Sequence, residues 1–407
     1  MPPKNLICVV VDRLHAGMLG AYGNSWIHSA QFDRLACESF LFDQALIDCP
    51  ELAQIYRGYW LGAPAVGKSS QVPATASLIQ LLNAAGWHTV LMTDEREVAG
   101  HVLANDFAQR IFVEPSATDA TASAVEETQM ARLFGTTTEH LATIEQPFCL
   151  WLHVRGMAGA WDAPLEFRNQ YADEEDPVPP DFTTVPDRWL PDEYDPDELL
   201  GITHAYAGQI SLLDLCLGAL LDYLQEAELD ANTQLTLLGA RGFPLGEHRR
   251  VGTCDYALYN ELIQTPWLMR FPADLGKLAR SQALVQPADL PGTLLDWLGL
   301  DRSQLGAGHA SSLLPIIGDL AESIRDHIGL ISRHERAIRT SAWLLREPET
   351  GAAELYAKPS DRWEVNEVAN LLPEVVVGLQ AARVEMEQAD EASKNLPLAQ
   401  PLVTEFD

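Results

Sequence analysis

Several stretches of the chain combine residue types and spacings that could do chemistry. Gly62-Ala-Pro-Ala-Val-Gly-Lys-Ser69 fits the G-x-x-x-x-G-K-S pattern. In a working phosphate loop that lysine opens a helix whose free N–H groups cradle phosphate. Here Pro73 follows Ser69 by four residues, inside the first turns such a helix needs, where proline is disruptive. Nucleotide binding through Gly62–Ser69 therefore stands behind other readings. Cys49-Pro50 offers a thiol, but a thiol nucleophile needs an adjacent base and no histidine is near in sequence, so Cys49 reads as structural. Gly246-Glu247-His248 follows a strand-like run and reads either as acid–base chemistry or as a polar surface turn. Asp12 closes an unbroken apolar run, Leu6 to Val11, and reads either as a site residue or as the cap of the turn that follows.

The elements that would position these residues alternate. The run ending at Asp12 suits a strand buried on both faces of a parallel sheet, and such sheets place ligands beyond the carboxyl ends of their strands. Helices are expected at 31–38, 75–85 (Thr75 as N-cap, Gly86 as stop), 121–141, 203–227, 290–298 and about 374–388. Strands are expected at 87–92, 148–153, 233–239 and 267–271. From Asp162 to about Leu200 the chain is acidic and proline-rich, which predicts a long loop. Ala337–Leu345 and Ala353–Tyr356 read as two strands around the turn-rich Pro348–Gly351. The fold class implied is α/β: a mixed, mostly parallel sheet flanked by helices over residues 1–325, with a small C-terminal antiparallel α+β subdomain over 326–407.

Composition narrows the partners. The 407 residues are 47% apolar, as in a globular protein with a substantial core. A formal net charge of -31, from 58 acidic and 27 basic side chains, argues against nucleic acid and against an anionic membrane surface. It leaves room for a small anion gripped by local arginines. No segment approaches the length of a membrane span, and Met1-Pro-Pro-Lys runs straight into a core strand without a signal peptide. The six cysteines are scattered without zinc spacing and read as buried free thiols, so a cytoplasmic location is expected.

Taken together, further segments carry a resemblance. Asn5–Asp12 with Leu14, Tyr22-Gly-Asn, Phe32-Asp-Arg-Leu-Ala36, Leu213-Asp214, Leu245-Gly-Glu-His248, Thr265–Pro272, Leu294–Gly299, Ser312–Pro315, Ala337–Thr340 and Glu354–Tyr356 occur in the order and spacing of the sulfatase family of the alkaline phosphatase superfamily, which the chain resembles along nearly its whole length. That resemblance implies a nucleophilic cysteine or serine converted to formylglycine, a divalent cation (commonly calcium), and lysines and histidines around the sulfate. A hard cation wants several oxygen ligands, and a sulfuryl group in transfer wants positive charge around it.

At the positions the resemblance assigns, most of that chemistry is gone. The first metal aspartate is Asp12, but the second is Arg13. The nucleophile position is Leu52, and Cys49 comes three residues too early. The later metal pair falls on Gly239-Ala240-Arg241, the "GK-x-H" on Thr93-Asp94-Glu95-Arg96, and the substrate histidine on Ala158. The lysine after "GEH" has no clear counterpart, Thr253 being nearest, while His153 and His248 remain. The sequence thus predicts a pseudoenzyme with a binding or assembly role, no confident catalytic residue, no cofactor and no metal. The vestigial positions are Asp12, Arg13, Leu52, Ala240, Arg241 and His248. Asp12 is expected to pair with Arg13, Arg241 or both, with a small oxyanion near the two arginines as a possible ligand class. The alternatives are a divergent sulfate or phosphate ester hydrolase using Asp12 and the retained histidines, and nucleotide binding through Gly62–Ser69.

Overall fold

The computed structural model describes residues 4–67, 76–116, 118–253, 257–305, 311–388 and 397–404. Its strands in chain order are β1 (Asn5–Val11), β2 (Phe40–Ala45), β3 (His88–Thr93), β4 (Gln109–Phe112), β5 (Phe148–Val154), β6 (Arg188–Trp189), β7 (Thr233–Gly239), β8 (Arg250–Val251), β9 (Trp267–Arg270), β10 (Ala279–Val285), β11 (His327–Ile331), β12 (Glu335–Thr340), β13 (Trp343–Pro348) and β14 (Glu354–Ala357). The residues group into two compact units, one of 1–41, 82–254 and 266–279, the other of 42–81, 255–265 and 280–407.

The first unit is built on the strand order β9-β7-β1-β5-β3-β4. β1 runs parallel to β5 and β7, β3 runs parallel to β5 and β4, and β9 is antiparallel to β7. Every residue of β1, β5 and β7 is buried, which is why these strands read as continuous apolar runs rather than alternations. The register sets Val10 beside His153 and Val11 beside both Val154 and Gly239, so β1, β5 and β7 end level. The fold class expected from sequence is the one observed: a mixed, mostly parallel sheet with helices packed on it, and a C-terminal antiparallel sheet described below.

The long helix Pro196–Glu226 covers this sheet with Ala205, Ile210, Leu213, Leu217 and Leu220 in one apolar core with Val9, Leu150 and Leu235. It begins seven residues before the expected Thr203. Asp195 caps it, accepting from Asp197 N at 3.0 Å, and Pro196 sits in its first turn, where no partner for an N–H is needed. Contrary to the expectation that no segment has the length of a membrane span, this helix is long and apolar enough by length and composition. In its most apolar window 72% of residues are buried inside the protein.

Other differences have local causes. The expected helix over 121–141 begins only at Gln129, because Thr128 is extended and caps Ala131 N while Asp162 accepts from Gln129 N at 2.7 Å. The helix expected from Thr75 runs Leu78–Ala84, and Thr75 itself lies outside the described residues. Of the cysteines, Cys8, Cys49, Cys149 and Cys216 are buried free thiols as expected, Cys37 is exposed, and Cys254 lies outside the described residues.

In the second unit β2 and β10 are neighbours, and β11–β14 form an antiparallel sheet in chain order. The single strand expected at Ala337–Leu345 is two, β12 and β13, broken at Ser341-Ala342, where Thr340 Oγ1 accepts from Trp343 N at 3.0 Å. Helix Pro373–Gln388 packs Val375 and Leu379 against Ile338 and Leu345. Within this unit Leu52 opens the helix Leu52–Leu61, which the sequence reading did not expect. Gly62 ends that helix in a left-handed conformation (φ 67°). A phosphate loop follows a strand, whereas here a helix precedes it. Lys68 and Ser69 lie outside the described residues.

Candidate functional site

Asp12 leaves the end of β1 at the level where β5 and β7 also end. Its N–H bonds Val154 O at 3.0 Å, and Ala240 N bonds Val11 O at 2.8 Å, so the residues after β1 and β7 are held side by side. Asp12, Arg13 and Ala240 are all buried. The pairing expected from sequence is present for Arg241. Its Nε donates to Asp12 Oδ1 at 2.9 Å and its Nη2 donates to Oδ2, a two-point fork on one carboxylate. Burial alone would push the Asp12 carboxyl up, but the Arg241 guanidinium, with help from Arg13, holds it down at about 2. Asp12 is therefore an ionised, fully buried anion with its countercharge attached to the chain.

Arg13 takes a different place. Its backbone is left-handed (φ 60°), its N–H caps Asp12 Oδ1 at 3.0 Å, and its side chain is buried with only 1% exposure. Arg13 O accepts from Tyr206 Oη at 2.7 Å, and the same hydroxyl accepts from His15 N at 2.9 Å. Tyr206 comes from the middle of the long helix and stacks on Phe243. Close approach also decides Gly156: at φ +52°, a Cβ there would meet Asp12 O and Val11 Cγ1 at 2.7 Å.

His153, in β5, is fully buried. Desolvation pulls its imidazole down to about 4 against the opposing pull of Asp12 and Glu95, so it is neutral near pH 7. At the end of β3, Asp94 accepts from Arg155 N at 2.9 Å, and Glu95 pairs with Arg155 Nε at 3.0 Å. Burial pushes the Asp94 carboxyl up to about 6. Where the resemblance implies a sulfate-binding lysine and histidine, the chain carries Asp94 and Arg96, and Asp94 and its neighbour Glu95 are both turned to Arg155. His248 stands half-buried in a left-handed turn (φ 47°) between Glu247 and Arg249. Its neighbour Glu247 lies 3.5 Å from His15 Nε2.

The residues do not fit the divalent cation that the resemblance implies. Calcium takes six to eight oxygen ligands. Both Asp12 oxygens accept from Arg241, and Arg13, Ala240 and Arg241 bring no side-chain oxygen to the positions beside it. Among the described residues no group of three or more His, Cys, Asp or Glu side chains could hold a metal ion. Leu52, where the resemblance places the nucleophile, is a buried aliphatic side chain with no atom able to attack sulfur or phosphorus.

The structure thus brings together Asp12, Arg13, Ala240 and Arg241 within the first unit, while Leu52 belongs to the second. The sequence reading passed over Tyr206, Gly156 and the contact of Arg155 with Asp94 and Glu95. The sequence signal for that contact was the acidic pair directly after a buried strand.

Comparison with known proteins gives the same fold. The family profile for sulfatases matches residues 4–300. No curated protein sequence matches the chain. Among solved structures, the phosphonate monoester hydrolase of Agrobacterium radiobacter superposes with a TM-score of 0.75 at 16% identity, covering 94% of this chain and 95% of that one. BT4656, solved with its substrate D-glucosamine-2-N,6-O-disulfate, gives 0.72 at 16% identity over 95% and 97%. BT1596, a 2-O GAG sulfatase, gives 0.69 at 16% identity over 98% and 95%.

Proposed function

The chain belongs to the sulfatase family, and we propose that it is a member in which an internal ion pair stands in place of the catalytic cation, sulfuric ester hydrolysis has been given up, and the fold serves binding or assembly. The single observation that carries this reading is the fork of Arg241 on Asp12. A cation bound at Asp12 would have to displace a covalently attached guanidinium from a buried carboxylate, and among the described residues no cluster of three or more His, Cys, Asp or Glu side chains stands ready to repay the dehydration of the ion. Leucine where the resemblance places the nucleophile and Asp94 where it places a sulfate-binding lysine act in the same direction.

Turnover of aryl sulfates, aryl phosphates and phosphonate monoesters, with and without added calcium, magnesium or manganese, tests the proposal. The expected result is no turnover above the rate without protein under any of these conditions. Metal-dependent turnover abolished by Asp12→Asn would overturn it in favour of a divergent hydrolase built on Asp12 and the retained histidines.

A further inference from the structure

The segment 173–198 carries eleven carboxylates and one basic residue, Arg188. Most of it is exposed, and residues 191–198 are exposed without a break. Acidic solvent-facing chain of this kind usually has no apolar surface to offer. Here it does. Between the loop and the start of the long helix lies a groove of about 510 Å³, within the range of ligand-binding clefts. Val178, Pro180, Phe182 and Ile202 make its apolar floor. Val178 is 88% exposed, so its isopropyl group faces water.

The rim of the groove is anionic. Asp195, Asp197 and Glu198 line it together with Arg188. Part of this charge is used internally: Asp195 caps the helix, and Glu198 pairs with Arg188 at 2.7 Å. Asp192 likewise pairs with Arg249, but the balance is still strongly negative, because Asp173, Glu174, Glu175, Asp181, Asp187 and Glu193 are all exposed in the same segment. Directly beyond Arg188, the exposed Trp189 ring already carries a guanidinium, that of Arg250, at 4.1 Å from its centre.

We infer that this groove is a docking site for a basic segment of a partner polypeptide, one in which lysines or arginines alternate with apolar side chains. The apolar floor needs an apolar insert, and the rim repels anything anionic, so nucleic acid, sulfated polymer and anionic lipid are excluded by charge. A single small amine meets only the rim. A peptide can also reach the carboxylates spread along the rest of the segment, where many weak screened attractions add up. The inference holds whether or not the chain hydrolyses esters, since none of these residues belongs to the Asp12 site.

The test is fluorescence anisotropy of a labelled peptide repeating Lys-Leu-Arg-Val, titrated with the full-length protein. Two further peptides are run alongside: one repeating Lys-Ser-Arg-Gly, which keeps the charge, and one repeating Glu-Leu-Asp-Val, which keeps the apolar residues. Saturable binding of the first peptide alone is expected, weakening as salt is raised. Val178→Ser, at an exposed position where folding is not at risk, and Phe182→Ala, checked for fold by circular dichroism, are each expected to weaken it by about fivefold or more. Three results would overturn the inference: no saturable binding, equal binding of the charge-only peptide, or affinity unchanged in Val178→Ser. Full displacement by spermine at the peptide's own affinity would also overturn it, assigning the site to small polyamines instead.

Discussion

Both carboxylate oxygens of Asp12 accept from one guanidinium, that of Arg241, which lies 229 residues further along the chain. Parallel pairing of β1 with β7 makes the two adjacent, since Asp12 follows directly on β1 and Arg241 lies two residues past the end of β7, and the strands end in register. A buried pair of this kind is weak evidence of net stabilisation, because two charges have been taken out of water to make it. Breaking it from one side is another matter.

Arg241→Gln leaves the Asp12 charge buried without its countercharge and is expected to cost about 3–5 kcal/mol. Adding Asp12→Asn removes that stranded charge, so the double variant should be more stable than Arg241→Gln alone. Urea denaturation of wild type, both single variants and the double variant measures the coupling. Strictly additive effects would show that the pair is not energetically real.

Gly156→Ala tests the packing that holds the pair. The new Cβ would lie 2.7 Å from Asp12 O, in a left-handed backbone that L residues avoid. A loss of about 2 kcal/mol or more in urea denaturation is expected, from strain and overpacking together. A neutral substitution would mean that the end of β1 moves freely enough to accommodate a side chain.

Acid dependence separates two buried groups near the same strand ends. Asp94 is raised from its ordinary 3.8 to about 6 by burial, so between those values the folded state holds a proton that the unfolded chain does not. Its contribution is fully present below about pH 4 and is lost as pH rises through 6. His153 is lowered from 6.5 to about 4 by burial, so its contribution is present above pH 6.5 and lost as pH falls through 4. The two oppose each other between pH 4 and 6. His153→Gln should therefore make stability rise on acidification across this window, and Asp94→Asn should tilt it the other way, each by on the order of 1–3 kcal/mol. Denaturation at several pH values between 4 and 7 measures both slopes. Equal slopes in the two variants would contradict the burial account.

The parts of this molecule that could be read from sequence are those whose signal is local. β1, β5 and β7 announce themselves because a strand buried on both faces must be apolar throughout. Arg241 could be placed beside Asp12 only through the resemblance, which assigns both to metal-ligand positions at strand ends that the fold brings together. What stayed hidden depends on non-local contacts. Thr121–Thr128 has helical residue types, yet Asp162 and Thr128 fix the start of that helix at Gln129. Pro196 looked like part of a loop, and only the Asp195 cap turns it into the first helical residue. Tyr206 sits in an apolar helix face and reads as core; its hydroxyl matters only because the turn after β1 comes to meet it. The Asp94–Arg155 contact follows from β3 and β5 ending together, with Thr93 opposite His153, a register that neither strand encodes alone.

The most direct test of the account is the melting temperature of the protein in calcium against the same protein in chelator. A ligand that binds only the folded state raises stability by an amount set by its concentration over its dissociation constant, about 2.7 kcal/mol at a hundredfold excess. With the Asp12 carboxylate already held by Arg241, calcium and chelator should give the same melting temperature. A calcium-dependent rise that disappears in Asp12→Asn would contradict the central claim that a guanidinium, and not a metal ion, neutralises this carboxylate.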